Sequence, residues 1–129
     1  MLTAEDRLAI EALYARYAHA ADTSDAAAWA DCYTPDGQFQ SFDRTHSGRE
    51  ALMGVIEASR RRPPGRHWIS NLVVEPSEFG ATGTAYLAWL HITKSPITMP
   101  TTGIYRDELV RVPDGWRFRL RTFIADTPA

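Results

Sequence analysis

The sequence predicts a single α+β domain over residues 1–129, in which helices come first and an antiparallel β-meander follows. Apolar residues recur at helical spacing in the first half of the chain, whereas the second half is rich in strand-forming residues. The chain is 44% hydrophobic and 23% charged, which is typical of one globular domain with its own core. A length of 129 residues leaves no room for a second domain.

Three helices are predicted before residue 66. Thr3 and Asp6 have the spacing of a capping box, and the first helix then continues to residue 21 through a series of apolar residues, Leu8, Ile10, Leu13, Tyr14 and Tyr17. Asp22 and Asp25 offer caps for a short Ala-rich helix over residues 26–33, which the turn sequence TPDG at 34–37 ends. A third helix begins at residue 49 and ends in the run RRRPPG at 60–65.

The remaining segments are predicted to form strands. Residues 38–42 fit a short strand, and residues 43–48 fit a polar loop. Four longer segments rich in β-branched and aromatic residues follow, at 67–75, 82–93, 101–112 and 116–125. The sequence VPDG at 112–115 predicts a hairpin turn, so these four segments are expected to form an antiparallel meander.

The charge and the cysteine content exclude several classes of protein. Fourteen basic and 16 acidic residues give a formal net charge of −2, which argues against a strongly basic nucleic-acid-binding protein. The arginines at 60–62 could form a phosphate site, but their Pro-Pro-Gly end favours a solvated helix end. Cys32 is the only cysteine, which excludes an intramolecular disulfide, and it forms no zinc-binding pattern with the four histidines.

No cofactor, metal, nucleic-acid or membrane partner is expected. The chain lacks a glycine-rich phosphate loop, and none of its apolar runs approaches the roughly 20 residues of a membrane span. Its acidic N-terminus differs from the basic start of a signal peptide. We therefore expect a soluble, cytoplasmic protein. Thirteen arginines against one lysine are a compositional hint of a bacterial origin.

Two polar residues, His67 and Asp22, could take part in catalysis. Alternation along the strand at 67–75 places His67 on one face with Ile69, Asn71 and Val73, and leaves Trp68, Leu72 and Val74 on the other. A histidine in such a strand is more often a core residue than a catalyst. Similarly, an aspartate between two helices is most often a cap. Neither residue alone indicates a catalytic site.

Several segments together resemble the SnoaL-like family of the nuclear transport factor two-like superfamily. They are an aspartate at the junction of two helices, GREAL at 48–52, RHWISN at 66–71, GIYRDEL at 103–109 and PDGWRF at 113–118. The resemblance covers nearly the whole chain, and it depends on the order and spacing of these segments. It implies a cone-shaped fold in which the N-terminal helices and the curved sheet enclose one deep apolar pocket.

Within this superfamily, Asp22 and His67 resemble the Asp-His pattern of scytalone dehydratase, a lyase that needs no cofactor. His91 falls near a second histidine of that enzyme, and Tyr17 resembles a tyrosine of bile acid 7α-dehydratase. The chain has Ala21 and Ser41 where scytalone dehydratase has tyrosines, and Tyr105 where it has an asparagine, so a different substrate is expected. Arg121 could match a polar pocket residue, although strand alternation places it opposite Trp116, Phe118 and Leu120.

The resemblance implies proton abstraction by a hydrogen-bonded Asp22–His67 pair, followed by elimination, isomerisation or cyclisation of a small apolar or aromatic substrate. An imidazole can accept a proton near neutral pH, and a carboxylate bonded to its other nitrogen stabilises the imidazolium that forms. Six residues are expected to bind the substrate: Tyr17, Asn71, Trp89, His91, Tyr105 and Arg121. Two alternatives stay open, a polyketide cyclase and a ligand-binding or assembly module without catalysis.

We also expect a homo-oligomer, with a dimer preferred over a trimer. The curved sheet is covered on its concave side only, so apolar residues on the convex face, such as Trp68, Leu72 and Val74, need another cover.

Overall fold

The structure, a computed structural model, describes residues 1–127 and has the predicted α+β architecture. The helices pack on a curled, unclosed sheet of six strands. In chain order, the elements are α1 (Ala4–Asp22), α2 (Ala26–Ala30), β1 (Tyr33–Ser41), β2 (Arg44–Ser47), α3 (Arg49–Ser59), β3 (Gly65–Ser77), β4 (Gly80–His91), β5 (Thr98–Val112) and β6 (Gly115–Ala125).

The strands lie in the order β2-β1-β6-β5-β4-β3. Strands β3 to β6 form the predicted antiparallel meander, and the turn after Val112 joins β5 to β6 as predicted. Strand β1 pairs antiparallel with β2 but parallel with β6. The sheet is therefore not antiparallel throughout. The last strand, β6, lies beside the first strand, β1, and runs in the same direction.

Helix α1 begins with the predicted capping box. The backbone N–H of Asp6 donates to Thr3 Oγ1 at 3.0 Å, and the N–H of Thr3 donates to Asp6 Oδ2 at 2.9 Å. These bonds satisfy two N–H groups that the helix itself leaves unpaired. The helix then buries four of its five periodic apolar residues against the sheet, Ile10, Leu13, Tyr14 and Tyr17, whereas Leu8 is exposed.

Two predicted boundaries between residues 26 and 48 are wrong. The second helix ends at Ala30 and not at residue 33, because Tyr33 already pairs with Phe118 of β6. The predicted loop at 43–48 contains β2. Phe42 and Asp43 have positive φ angles of 49° and 64°, the conformation that closes a tight hairpin between β1 and β2.

Two β-bulges reverse the predicted strand faces. The pairing of β3 with β4 shifts between Ser70 and Val73, where Asn71 has a φ of 56°. The extra residue turns the following side chains over, so Leu72 and Val74 pack against the core while Asn71 and Val73 are exposed. This corrects the predicted faces of β3 beyond Ser70.

The second bulge lies in β6. Glu108 pairs with Leu120 and Leu109 with Phe118, which leaves Arg119 as the extra residue. Arg121 therefore shares the inner face with Phe118 and is fully buried. Simple alternation predicted the opposite face for Arg121.

Among residues 1–127, no helix has both the length and the apolar character that are needed to cross a membrane.

Candidate active site

A cavity of about 1070 Å³ lies between the helices and the inner face of the sheet. This volume matches the upper end of the range for small-molecule sites, roughly 300–1,000 Å³. Much of the wall is aromatic, formed by Tyr17, Trp29, Phe39, Phe42, Trp89, Tyr105 and Phe123. The cavity can therefore hold an apolar ligand with several rings.

Asp22 and His67 meet in the wall of this cavity, one at the end of α1 and the other near the start of β3. Asp22 Oδ1 lies 2.6 Å from His67 Nδ1. The same carboxylate accepts the backbone N–H of His67, at 3.0 Å to Oδ1 and 3.2 Å to Oδ2. The Asp22 side chain is 20% exposed and that of His67 is 22% exposed. The pair is thus reachable from the cavity and mostly shielded from bulk water.

The simplest structural role of Asp22, capping α2, belongs to a different residue. Asp25 is the N-cap of α2, and its Oδ1 accepts the backbone N–H of Ala28 at 3.0 Å. Ser24, with a φ of 55°, turns the chain between the two helices. The Asp22 carboxylate is therefore free to hold His67.

The contact with Asp22 decides which nitrogen of His67 carries the proton. An ionised carboxylate only accepts hydrogen bonds, so Nδ1 must donate and a neutral imidazole keeps its lone pair on Nε2. Because Asp22 binds both the backbone and the ring of His67, the ring orientation is fixed as well. This arrangement can accept a proton at Nε2 and stabilise the resulting imidazolium.

Tyr17 and Tyr105 form a second polar feature of the cavity wall. Their rings meet edge to face with centroids 5.9 Å apart, and both residues are buried. Burial raises the pKa of each hydroxyl far above the ordinary value of 10.0. Both hydroxyls therefore remain protonated and can donate hydrogen bonds to a ligand oxygen.

Trp89 reaches the cavity because Gly65 lies beside it. A Cβ at Gly65 would come within 2.5 Å of the Trp89 indole, so the hydrogen of glycine makes this close packing possible. Gly65 lies two residues before His67, and Trp89 pairs with His67 across β3 and β4. The indole therefore forms an apolar surface next to the imidazole.

Behind Tyr17 and Tyr105 lies a buried ion pair. Arg121 Nε lies 3.0 Å from Asp107 Oδ1, and neither side chain is exposed. The contact is an ion pair whose angles do not fit a hydrogen bond. Within residues 1–127, neither Arg121 Nε nor Asp107 Oδ1 has a hydrogen-bond partner. The Tyr14 hydroxyl donates to Asp107 Oδ2. Burial raises the pKa of Asp107 to about 6, although Arg121 and Tyr14 oppose this shift.

The Arg121 guanidinium is enclosed by aromatic rings. Its central carbon lies 3.5 Å from the ring centroid of Tyr105 and 4.2 Å from that of Tyr17, distances at which a cation is attracted by an aromatic face. Arg121 is not part of the cavity lining. The aromatic rings that cover it lie between Arg121 and the cavity, so the structure places this predicted binding residue behind the lining.

Two other predicted binding residues also lie outside the lining. Asn71 is exposed at the bulge in β3, because the extra residue there turns it away from the face that His67 occupies. His91 packs edge-on against Trp89, with ring centroids 4.5 Å apart, and of these two residues only Trp89 lines the cavity. Tyr17, Trp89 and Tyr105 are the predicted binding residues that do line it.

Several lining residues were missed by the sequence analysis. Phe39 and His46 are stacked, with ring centroids 6.3 Å apart, and His46 belongs to the strand that was predicted to be a loop. Arg44, Arg60 and Arg62 also line the cavity. The arginine run was visible in the sequence, but its proximity to the cavity depends on the fold.

Within residues 1–127, no three histidine, cysteine or acidic side chains are grouped closely enough to hold a metal ion.

Comparison with known families places this geometry in context. Residues 2–122 match the family model described as the SnoaL-like domain. Among proteins whose functions have been curated, none matches the chain.

Solved structures provide close matches to the whole fold. Rv3472 from Mycobacterium tuberculosis, described as a protein of unknown function and solved as an aspartate-to-asparagine variant, is 33% identical over 92% of this chain and 70% of its own, with a TM-score of 0.87. An ntf2-like protein with a cystatin-like fold from Novosphingobium aromaticivorans is 25% identical over 97% and 84% of the two chains, with a TM-score of 0.87. A protein from Catenulispora acidiphila, solved in complex with S-DNPA, is 27% identical over 96% of each chain, with a TM-score of 0.85.

Proposed function

The chain belongs to the SnoaL-like family, and on this basis we propose that it is a lyase or isomerase that works without a cofactor. In this proposal, the Asp22–His67 pair abstracts a proton from a small, largely apolar or aromatic substrate held in the cavity. The observation that carries the proposal is the 2.6 Å contact between Asp22 Oδ1 and His67 Nδ1 in the cavity wall.

His67 acts as the general base. Its Nε2 takes a proton from a carbon that a neighbouring carbonyl has already activated, and the Asp22 carboxylate stabilises the imidazolium that results. A positioned base contributes roughly 10²–10⁴ in rate, which is enough for an activated carbon. The protonated ring then returns the proton to another carbon in isomerisation, or to a leaving oxygen in elimination.

The negative charge that develops on the carbonyl oxygen needs hydrogen-bond donors. Tyr17 and Tyr105 are suited to this role, because both line the cavity and their hydroxyls remain protonated. The Arg121 guanidinium lies behind their rings, where the Asp107 carboxylate balances its charge.

Two other functions compete with this one. A polyketide cyclase would use the same pair to form a carbon–carbon bond from the enolate, and it differs only in substrate. A ligand-binding or assembly module would keep the cavity without catalysis. The partly buried carboxylate–imidazole pair favours the enzyme, since a purely apolar binding cavity has no need of a proton acceptor.

Deuterium exchange at the α-carbon of 2-tetralone tests the proposal without knowledge of the natural substrate. This enolisable ketone is a two-ring aromatic molecule of a size that suits the cavity. In D₂O, the wild-type protein should accelerate loss of the α-proton signal in the NMR spectrum. His67→Ala and Asp22→Asn should each lower the rate by at least about 10²-fold, and the double variant should lose little more, because the two residues act as a unit.

His91→Ala is the matched control, because this histidine packs on Trp89 outside the cavity lining. It should leave the exchange rate unchanged. Folding of every variant is checked by circular dichroism. Unchanged exchange in folded His67→Ala, or binding of 2-tetralone by the wild-type protein without exchange, would contradict catalysis and favour the binding module.

We further propose that the protein forms a homodimer through the outer face of the sheet. Tyr86, Ile104 and Ile124 occupy paired positions on three neighbouring strands, and the nearby Trp68 side chain is 60% exposed. Light scattering of the wild-type protein should give a mass of twice 14.5 kDa. Trp68→Glu should lower the measured mass to that of the monomer, because it places a charge in the proposed interface. A monomeric wild-type protein at micromolar concentration would contradict the proposal.

A further inference from the structure

The run of arginines at the end of α3 has no part in the proton transfer described above. Arg60 and Arg62 nevertheless line the same cavity as Asp22 and His67. Arg44 of β2 lines it as well. All three arginines are exposed to solvent, so they lie where the cavity opens. The run at 60–62 therefore forms the exposed helix end that the sequence favours, and two of its arginines also border the cavity.

The charge of the lining is unbalanced. It contains three guanidinium groups, while Asp22 is its only carboxylate and is already bonded to His67. No carboxylate within residues 1–127 forms an ion pair with Arg44, Arg60 or Arg62. Outside the lining, five arginines each lie within 3.0 Å of a carboxylate, namely Arg49, Arg111, Arg117, Arg119 and Arg121. Five others, Arg7, Arg16, Arg61, Arg66 and Arg106, form no ion pair within residues 1–127 either, but they do not line the cavity. The cavity opening therefore has an uncompensated positive charge.

Arg60 is also held in place relative to the catalytic pair. Its guanidinium donates to the backbone carbonyl of Ser24 at 3.0 Å. Ser24 lies two residues after Asp22 and lines the cavity. This bond extends the side chain across the turn between α1 and α2, beside the cavity and not away from it.

We infer that the substrate carries an anionic group, a carboxylate or a phosphate, which Arg44, Arg60 and Arg62 bind at the opening while the apolar body occupies the aromatic interior. Guanidinium groups suit this role because their paired N–H donors match the oxygens of both anions. The inference rests on the proposed function, since it takes this cavity to be the substrate site. To the proposed function it adds that the substrate is anionic and that its charged group lies at the opening of the cavity.

Calorimetric titration with three naphthalene probes tests the inference. The probes share one aromatic body and differ in their substituent: 2-naphthoate, 2-naphthyl phosphate and the neutral 2-naphthamide. At low salt, at least one anion should bind about tenfold more tightly than the amide. Added salt should weaken binding of the anion and leave that of the amide unchanged. Preference between the two anions identifies whether a carboxylate or a phosphate is recognised.

Arg61 provides a matched control, because it has the same charge, is exposed in the same run and does not line the cavity. Arg60→Gln combined with Arg62→Gln should remove most of the preference for the anion, and Arg44→Gln part of it. Arg61→Gln should retain the preference within about twofold. Thermal melting confirms that each variant is folded. If a variant does not fold, the affinities of the wild-type protein for the three probes still test the inference.

Equal affinity for all three probes would overturn the inference and leave the cavity as an apolar binding site. An equal loss of preference in Arg61→Gln would also overturn it, because a diffuse surface charge would then explain the effect. Failure of every probe to bind would contradict the substrate cavity itself, and with it the inference.

Discussion

Two of the acid–base pairs that connect separate elements of this fold differ in their access to solvent and in their basic group. Asp22 and His67 join α1 to β3 at 2.6 Å, with about one-fifth of each side chain exposed. Asp107 and Arg121 join β5 to β6 at 3.0 Å, with neither side chain exposed. Helix α1 contacts both, through Asp22 at its end and through Tyr14 in its middle.

The two pairs differ in whether the basic partner can release its proton. A guanidinium remains protonated at any pH a protein tolerates, so Arg121 is a fixed positive charge in the core. An imidazole gains and loses a proton near neutral pH, and His67 borders a cavity from which a proton can come. In the proposed function, the pair at the cavity transfers protons, whereas the buried pair stabilises the fold.

Removal of one partner of the buried pair should have the largest effect on stability. Arg121→Met leaves the Asp107 carboxylate buried and without its counter-ion, which typically costs about 3–5 kcal/mol in the free energy of unfolding. Urea denaturation followed by circular dichroism measures this loss. Arg121→Met combined with Asp107→Leu removes both charges and should lose less than Arg121→Met alone.

A loss below about 1 kcal/mol in Arg121→Met would contradict the structural role of this pair, since such a value is typical of an exposed ion pair. If the single variant does not fold, recovery of a folded protein in the double variant supports the same conclusion.

A smaller effect is expected at acidic pH from Asp6, at the other end of α1. The backbone N–H of Thr3 and the guanidinium of Arg111 hold the pKa of Asp6 at about 2, below its ordinary value of 3.8. Because the folded-state pKa is lowered, its stabilising contribution is complete above about pH 4 and is lost as the pH falls through 2. Asp6→Asn should flatten the dependence of the melting temperature on pH in this window.

Glu5→Gln is the control for Asp6→Asn, since it changes an exposed carboxyl group in the same helical turn. It should keep the acid dependence of the wild-type protein. The same steepness in Asp6→Asn as in the wild type would show that other groups cause the acid sensitivity.

The part of this structure that follows local rules could be predicted from the sequence. The capping box at Thr3 and Asp6 and the turn after Val112 depend only on neighbouring residues. The contact between Asp22 and His67 was expected only from the family resemblance. These residues are 45 positions apart in the sequence, and no local pattern relates them.

Bulges account for most of the site residues that were placed incorrectly. Alternation assumes that each residue of a strand faces one partner, and one extra residue reverses every side chain beyond it. Asn71 gives a weak signal, because asparagine tolerates a positive φ angle, whereas Arg119 gives none. The cavity position of Arg60 and Arg62 likewise follows from how the end of α3 lies against the turn after α1, a long-range contact.

The position of the proton on the His67 ring in the free protein decides whether this residue can act as the proposed base. Two-bond ¹H–¹⁵N correlation spectra distinguish which ring nitrogen carries the proton in a neutral histidine. The account predicts a proton on Nδ1 and an unprotonated Nε2, with this preference lost or weakened in Asp22→Asn. A wild-type His67 with its proton on Nε2 would contradict the account, because the nitrogen left for the substrate would then be unable to accept a proton.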